Sequence, residues 1–257
     1  MCLIIFSLNQ HPKYKLILAA NRDEFFTRES MIAHHWEEND NIIGGKDMIS
    51  QGTWLGINSN GRFIAITNYR DLSRENKNAK SRGYISKRFL LGDEAVEDFI
   101  KEISEERDAY NGFNLLLSEN GFENMIHYSN VSNKQTQLRN GLHGLSNALL
   151  NTPWPKVVKG KKMLSELINA PSPDSSELIE LLRNSDIPPN NQLPETGISR
   201  DLEKKLSPVF ISMNGYGTRC SSAVLVDYNN SVSFHEVTYS EKKEVIYTNK
   251  LQLQLKY

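Results

Sequence analysis

Apolar residues fall in short runs along the chain, each bounded by turn-forming residues, which is the pattern of hairpins. Residues 2–9 (CLIIFSLN) and 15–20 (KLILAA) flank Gln10-His11-Pro12-Lys13 and predict an antiparallel hairpin that carries Asn21, Arg22, Asp23 and Glu24 back toward the start of the chain. A second hairpin is predicted from 53–58 (TWLGIN) and 62–69 (RFIAITNY) around Ser59-Asn60-Gly61. A third joins 113–118 (FNLLLS) to 122–128 (FENMIHY) through Glu119-Asn120-Gly121. Asn and Gly accept the positive φ that such turns demand.

Between the hairpins the period changes. Across 83–107, Ile85, Phe89, Leu90, Val96, Phe99, Ile100 and Ile103 recur at mostly helical spacing, and Gly92-Asp93 divides the stretch into two helices. Helices are also predicted at 155–169 and 174–184, the second opened by Asp174-Ser175-Ser176-Glu177, whose side chains suit the unpaired amides of a first turn. Residues 187–194 read as a surface loop, and strand-forming sequence returns at 207–213, 218–228 and 231–238. Sheet, helices, sheet, helices and sheet in that order predict an α+β fold. A four-layer αββα sandwich of antiparallel sheets fits it, although periodicity alone also allows another α+β arrangement.

Composition narrows the function classes. A chain of 257 residues with 39% hydrophobic residues, spread in short runs, suits one domain over 1–257 with a sizeable core. Its 30 basic and 31 acidic side chains leave a formal charge of -1, which gives no pull toward nucleic acid or an anionic membrane. The apolar MCLIIFSL start is too short for a membrane-spanning helix and lacks the basic flank of a signal peptide. With only two cysteines, Cys2 and Cys220, no disulfide framework is expected, and a cytoplasmic protein is the default expectation. The histidines show no metal-ligand spacing and no phosphate-binding glycine motif is present, so no metal site is expected.

Cys2 reads from composition as a small buried hydrophobe at a strand start. Its position adds a second reading. Cysteine is small enough for methionine aminopeptidase to act before it, and removal of Met1 would give one residue both a thiol and a free α-amine. The amine titrates near about 8 and the thiol near about 8.5, so a proton passes between nucleophile and base at little cost.

Seven motifs stand in order along the chain: Met1-Cys2-Leu3-Ile4; Asn21-Arg22-Asp23-Glu24 followed by Phe25; Gly52-Thr53-Trp54-Leu55-Gly56; Thr67-Asn68-Tyr69-Arg70-Asp71; Gly144-Leu145-Ser146-Asn147-Ala148; Thr152-Pro153-Trp154-Pro155-Lys156; and Gly217-Thr218-Arg219. Together they resemble the NRDE family, also called the transport-and-Golgi-organization family, over nearly the whole length. That family is in turn similar to the choloylglycine hydrolase and penicillin V acylase group, amidases of the N-terminal-nucleophile hydrolase fold.

The resemblance implies an αββα fold and a site built on Cys2. In the amidases an Arg-x-x-Asp-Phe segment holds the nucleophile. If Phe25 fixes the register here, Asn21 replaces the Arg and Glu24 the Asp. Alternatively Arg22 and Asp23 supply the charges, each displaced by one residue, which on a strand turns them to the opposite face from the amidase positions. Asn68 and Asn147 are similar to amidase asparagines that would face a developing oxyanion; their other reading is as caps of backbone groups in turns. The catalytic candidates are therefore Cys2, Arg22, Asp23, Glu24, Asn68 and Asn147. Asn21, Trp54, Tyr69, Trp154 and Arg219 are candidates for the substrate wall, with Arg219 suited to a carboxylate or phosphate. Two uses compete: a hydrolase of a small-molecule amide or thioester through acyl-Cys2, needing no cofactor, or a carrier for haem or an acyl-coenzyme A type ligand in the same cleft.

Overall fold

The computed structural model describes residues 3–71 and 75–257; Met1, Cys2 and residues 72–74 lie outside that description. The first hairpin is longer than its apolar runs suggest. Strand β1 (Leu3–Leu8) pairs antiparallel with β2 (Tyr14–Phe25), which continues through the Asn-Arg-Asp-Glu tetrad. The charged run beyond the predicted strand 15–20 is held as strand by its second neighbour, β12 (Tyr216–Asp227), which pairs with β2 along its length. With β13 (Ser231–Tyr239), β14 (Val245–Gln254) and β10 (Gly141–Leu145), the first sheet has the order β10-β1-β2-β12-β13-β14, and the short β11 (Ser212–Met213) pairs with β12.

The second sheet is a sequential meander of β3 (Ser30–Trp36), β4 (Asn39–Asp47), β5 (Leu55–Asn58), β6 (Phe63–Asn68), β7 (Phe113–Glu119), β8 (Asn124–Ser129) and β9 (Lys134–Gln137). Its hairpin turns sit where Asn and Gly predict them, with Gly61 at φ 80° and Asn120 and Gly121 also at positive φ. Helices α1 (Gly83–Leu91) and α2 (Val96–Glu105) break at Gly92 as expected. The other predicted pair is α3 (Pro155–Leu167) and α4 (Ser175–Leu181), and α4 opens with a capping box of Asp174 and Glu177. Strands β3, β4, β9, β10 and β14 and helix α5 (Arg200–Lys205) are additions to the sequence reading. Of 207–213, only Ser212–Met213 is strand.

Strand alternation divides the core into layers. Leu3, Ile5, Ile17 and Ala19 face outward and pack on Val157, Leu164 and Leu178 of α3 and α4. Ile4, Phe6, Leu16, Leu18 and Ala20 face inward onto the second sheet, whose apolar residues pack in turn against Phe89 and Phe99 of α1 and α2. The result is helices, sheet, sheet and helices: an αββα sandwich with antiparallel sheets. Among the described residues no helix is long and apolar enough to cross a membrane.

One polar network lies within the second sheet and reaches the chain after β10. Asn114 donates to Thr67 Oγ1 at 3.1 Å and to the Ala148 carbonyl at 3.0 Å, while its Oδ1 lies 3.2 Å from His127 Nε2. That pattern fits a neutral imidazole with the proton on Nε2. Burial lowers the His127 pKa to about 4. The unfolded chain takes up this proton near pH 6.5, well before the folded one. Stability from this group is therefore intact above about pH 6.5 and is lost as the pH falls from there to about 4, by on the order of 3 kcal/mol. His127→Gln should flatten that acid limb. Urea midpoints at pH 7 and pH 4.5 check it, and parallel losses in wild type and variant would contradict it.

Candidate functional site

Arg22 is the buried charged residue that β2 turns inward. It is 4% exposed, sits on the same face as Ala20 and donates from Nη2 to Asp47 Oδ2 at 3.0 Å, across the gap between the sheets. Asp47 ends β4 and takes more than this. Arg28 approaches it through Nε at 2.6 Å and Nη2 at 3.1 Å, and the Ile49 and Ser50 amides donate at 3.1 and 2.9 Å. Burial pushes the Asp47 carboxyl upward, but the Arg28 hydrogen bonds, the Ser50 amide and the two guanidinium charges outweigh it and hold it below the usual carboxylate range. Beneath Arg22 lies Trp54, with the guanidinium carbon 4.3 Å from the ring centroid. Gly45 makes room for that ring, since a Cβ there would stand 2.3 Å from Trp54 Cζ2.

Its neighbours in the tetrad go elsewhere. Asn21 and Asp23 face outward, as strand alternation requires. The Asn21 amide donates to the carbonyls of Leu182 and Val209 at 3.0 and 2.8 Å and accepts from Ser221 Oγ at 2.6 Å, so it ties the sheet to its helices. Asp23 accepts from Thr218 Oγ1 at 2.7 Å, and Thr218 Oγ1 in turn accepts from the Ile211 amide at 2.9 Å. Glu24 returns to the inner face at the rim, where it accepts from the Phe25 amide and stands 3.9 Å from Arg28. Arg219 sits where the β2–β12 register shifts between Thr218 and Cys220. The irregularity re-aims its side chain. One Nη1 donates to the carbonyls of Phe25, Phe26 and Arg28, so Arg219 fastens the turn after β2.

Two cavities meet in front of this end of the sheets. One, of about 390 Å³, is polar and lined by Arg22, Arg28, Asp47, Trp54, Lys77 and Arg82 among others. The other, of about 410 Å³, has an apolar wall of Phe25, Leu202, Leu206, Ile211, Met213 and Tyr216, faced by Asn68, Tyr69, Arg70 and Asn147. Asn68 lines both. Asn147 comes from the chain after β10 and donates from Nδ2 to the Asn68 carbonyl at 3.0 Å, while the Arg70 amide donates to the Asn147 carbonyl at 2.8 Å. Arg70 continues to Glu203 of α5 at 3.0 Å and lies 5.1 Å from the Trp154 ring centroid. Arg22, Glu24, Asn68, Tyr69, Asn147 and Trp54 are thus gathered at one cleft, and Trp154 stands behind Arg70. Asn21, Asp23 and Arg219 brace the walls instead. Cys2 lies outside the described residues.

Asp47, like Arg28 and Arg82, is a cleft residue that carries no sequence motif. Glu236 is fully buried between the sheets, accepting from the Ala33 amide at 2.8 Å and from Ser222 Oγ at 2.5 Å. Cys220 pairs with Arg22 across the β2–β12 ladder. Burial first, and Glu236 second, push its thiol well above the usual range, so it stays protonated and unreactive.

A family model described as Transport and Golgi organisation 2 matches residues 1–241. The transport and Golgi organization protein 2 homolog of Bos taurus is 36% identical over 259 residues, covering 92% of each chain. The Drosophila melanogaster protein of that name is 31% identical over 260 residues, covering 93% of this chain and 92% of its own. Among solved structures, a variant of the conjugated bile acid hydrolase from Clostridium perfringens aligns with a TM-score of 0.51 at 13% identity, covering 97% of this chain and 92% of that one. At that identity the likeness speaks to the fold, which is that of N-terminal-nucleophile hydrolases.

Proposed function

Because the chain belongs to the Transport and Golgi organisation 2 family and has the fold of N-terminal-nucleophile hydrolases, we propose that it is itself a thiol hydrolase that opens a small-molecule amide or thioester through acyl-Cys2. The observation that carries the reading is a register. Leu3 pairs with Asn21 on the outward face and Ile4 with Ala20 on the inward one. Strand β1 thus opens beside the tetrad, whose Arg22 lines the cleft.

In this mechanism the Cys2 α-amine takes the thiol proton and the thiolate attacks the substrate carbonyl carbon. The negative charge that develops on the carbonyl oxygen is met by the Asn68 carboxamide, and Arg22 supports the thiolate. Collapse breaks the C–N or C–S bond, and the ammonium returns its proton to the leaving amine or thiol. Water then attacks acyl-Cys2 with the amine again as base, releasing a carboxylic acid. The apolar wall of Phe25, Leu206, Ile211 and Met213 suits the acyl part. A carrier for haem or an acyl-coenzyme A type ligand is the competing use of the cleft, and turnover separates the two.

Hydrolysis of p-nitrophenyl butyrate, an activated acyl probe, provides the test. The protein should turn it over, and Asn68→Ala should lower kcat by about 10²–10³ with little change in KM. An Asn68→Ala variant with unaltered kcat would remove Asn68 from the mechanism. No turnover by wild type would favour the carrier.

A further inference from the structure

Among the described residues, the polar half of the cleft contains two buried donors without an acceptor. Arg22 and Trp54 are 4% and 5% exposed, and among the described residues Arg22 Nη1 and Trp54 Nε1 have no hydrogen-bond partner. The other end of each group is firmly held. Arg22 Nη2 is fixed on Asp47, and the six-membered edge of the Trp54 indole lies against Gly45. Neither donor can therefore turn away to find a partner, and buried polar groups are as a rule paired. Trp36 shows the ordinary case, its Nε1 donating to the Gly44 carbonyl at 3.0 Å.

Charge says what kind of acceptor is missing. Among the described residues Arg22, Arg28, Lys77 and Arg82 line this half together with Glu24, Asp47 and Glu75, and Lys80 on the same wall is paired with Glu106 at 2.9 Å. A guanidinium N–H is best met by an anion, and an anionic group with two or more oxygens can take one donor from each residue. The stacking of the guanidinium on the indole, 4.3 Å from the ring centroid, brings the two side chains to a common ligand.

We infer that Arg22 and Trp54 form an oxyanion subsite in which Nη1–H and Nε1–H bind a carboxylate, sulfonate or phosphate group of the ligand. Asn68 lies between this subsite and the apolar wall, so the anionic group is on the part of the ligand opposite its apolar part. The inference rests on the hydrolase reading only in making that part the leaving group.

The test uses the full chain carrying Cys2→Ala, so that binding is read without turnover. Inorganic phosphate, methanesulfonate and acetate are titrated separately while the three tryptophan indole N–H signals are followed in ¹H–¹⁵N spectra. The Trp54 signal, identified by its loss in Trp54→Phe, should shift saturably with at least one anion, and the Trp36 signal should stay in place. The anion that binds tightest identifies the oxyanion. Trp54→Phe, which keeps the ring, should weaken that anion by about tenfold in a calorimetric titration. An unmoved Trp54 signal with all three anions, or equal affinity in Trp54→Phe, would overturn the subsite. Neither outcome touches hydrolysis, which is read separately in the wild type.

Discussion

Asp47→Ala should destabilise the protein by about 3–5 kcal/mol, the cost of breaking a buried ion pair from one side. The carboxylate is 6% exposed and accepts from Arg22, Arg28 and two backbone amides. Without it the Arg22 guanidinium loses its hydrogen-bonded carboxylate, and Nη1 already has no hydrogen-bond partner among the described residues. Arg28 suffers less, being half-buried and able to turn to water. Asn at position 47 keeps the shape and loses the charge, so it should fall between alanine and wild type. The measurement is urea unfolding at neutral pH. A loss under about 1 kcal/mol in Asp47→Ala would show that the inter-sheet pair does not hold Arg22 in place.

The largest effect on activity is expected from Cys2→Ala. Removing a covalent nucleophile costs on the order of 10⁶ in rate where the surrounding groups act as a unit. Folding should be nearly unaffected, because alanine differs from cysteine by a single sulfur atom and trims little volume. Cys2→Ser should retain far less activity than wild type, since a hydroxyl is scarcely ionised near neutral pH while a thiol is partly so. Cys220 cannot take over, with its thiol buried and held protonated. Steady-state turnover of p-nitrophenyl butyrate by wild type and both variants checks this. Undiminished turnover by Cys2→Ala would make Cys2 a structural residue.

The sequence was readable where local chemistry decides conformation. Asn120-Gly121 and Gly61 mark turns because few other residues accept their φ values, Gly92 ends α1, and Asp174 with Glu177 caps α4. It was opaque where distant residues decide. The tetrad is a charged run that should leave a strand, yet pairing with β12 keeps it in β2 and sends Asn21 and Arg22 to opposite faces. Strands β3 and β4 are masked in the sequence because His34, His35 and Gly44-Gly45 interrupt their alternation. Strand β14 did alternate, in Leu251-Gln252-Leu253-Gln254, and that signal was available.

The site divides in the same way. Motif order pointed to Arg22, Asn68 and Asn147, which the fold does gather at one cleft. Residue type could not separate Arg22 from Arg219, whose guanidinium goes to backbone carbonyls. Nor could it find Asp47, 25 residues from Arg22 and in no motif. A carboxylate closing the apolar run Ile42-Ile43-Gly44-Gly45 was the one available hint.

The central claim is that Cys2, freed by loss of Met1, is the residue that carries the acyl group. Intact-mass spectrometry of the purified protein, before and after brief exposure to p-nitrophenyl butyrate, tests it most directly. The account predicts a mass lower than the full sequence by one methionine, then a gain of one butyryl group that peptide mapping locates at Cys2 and that Cys2→Ala does not show. Retention of Met1, or the same butyryl gain in Cys2→Ala, would contradict it.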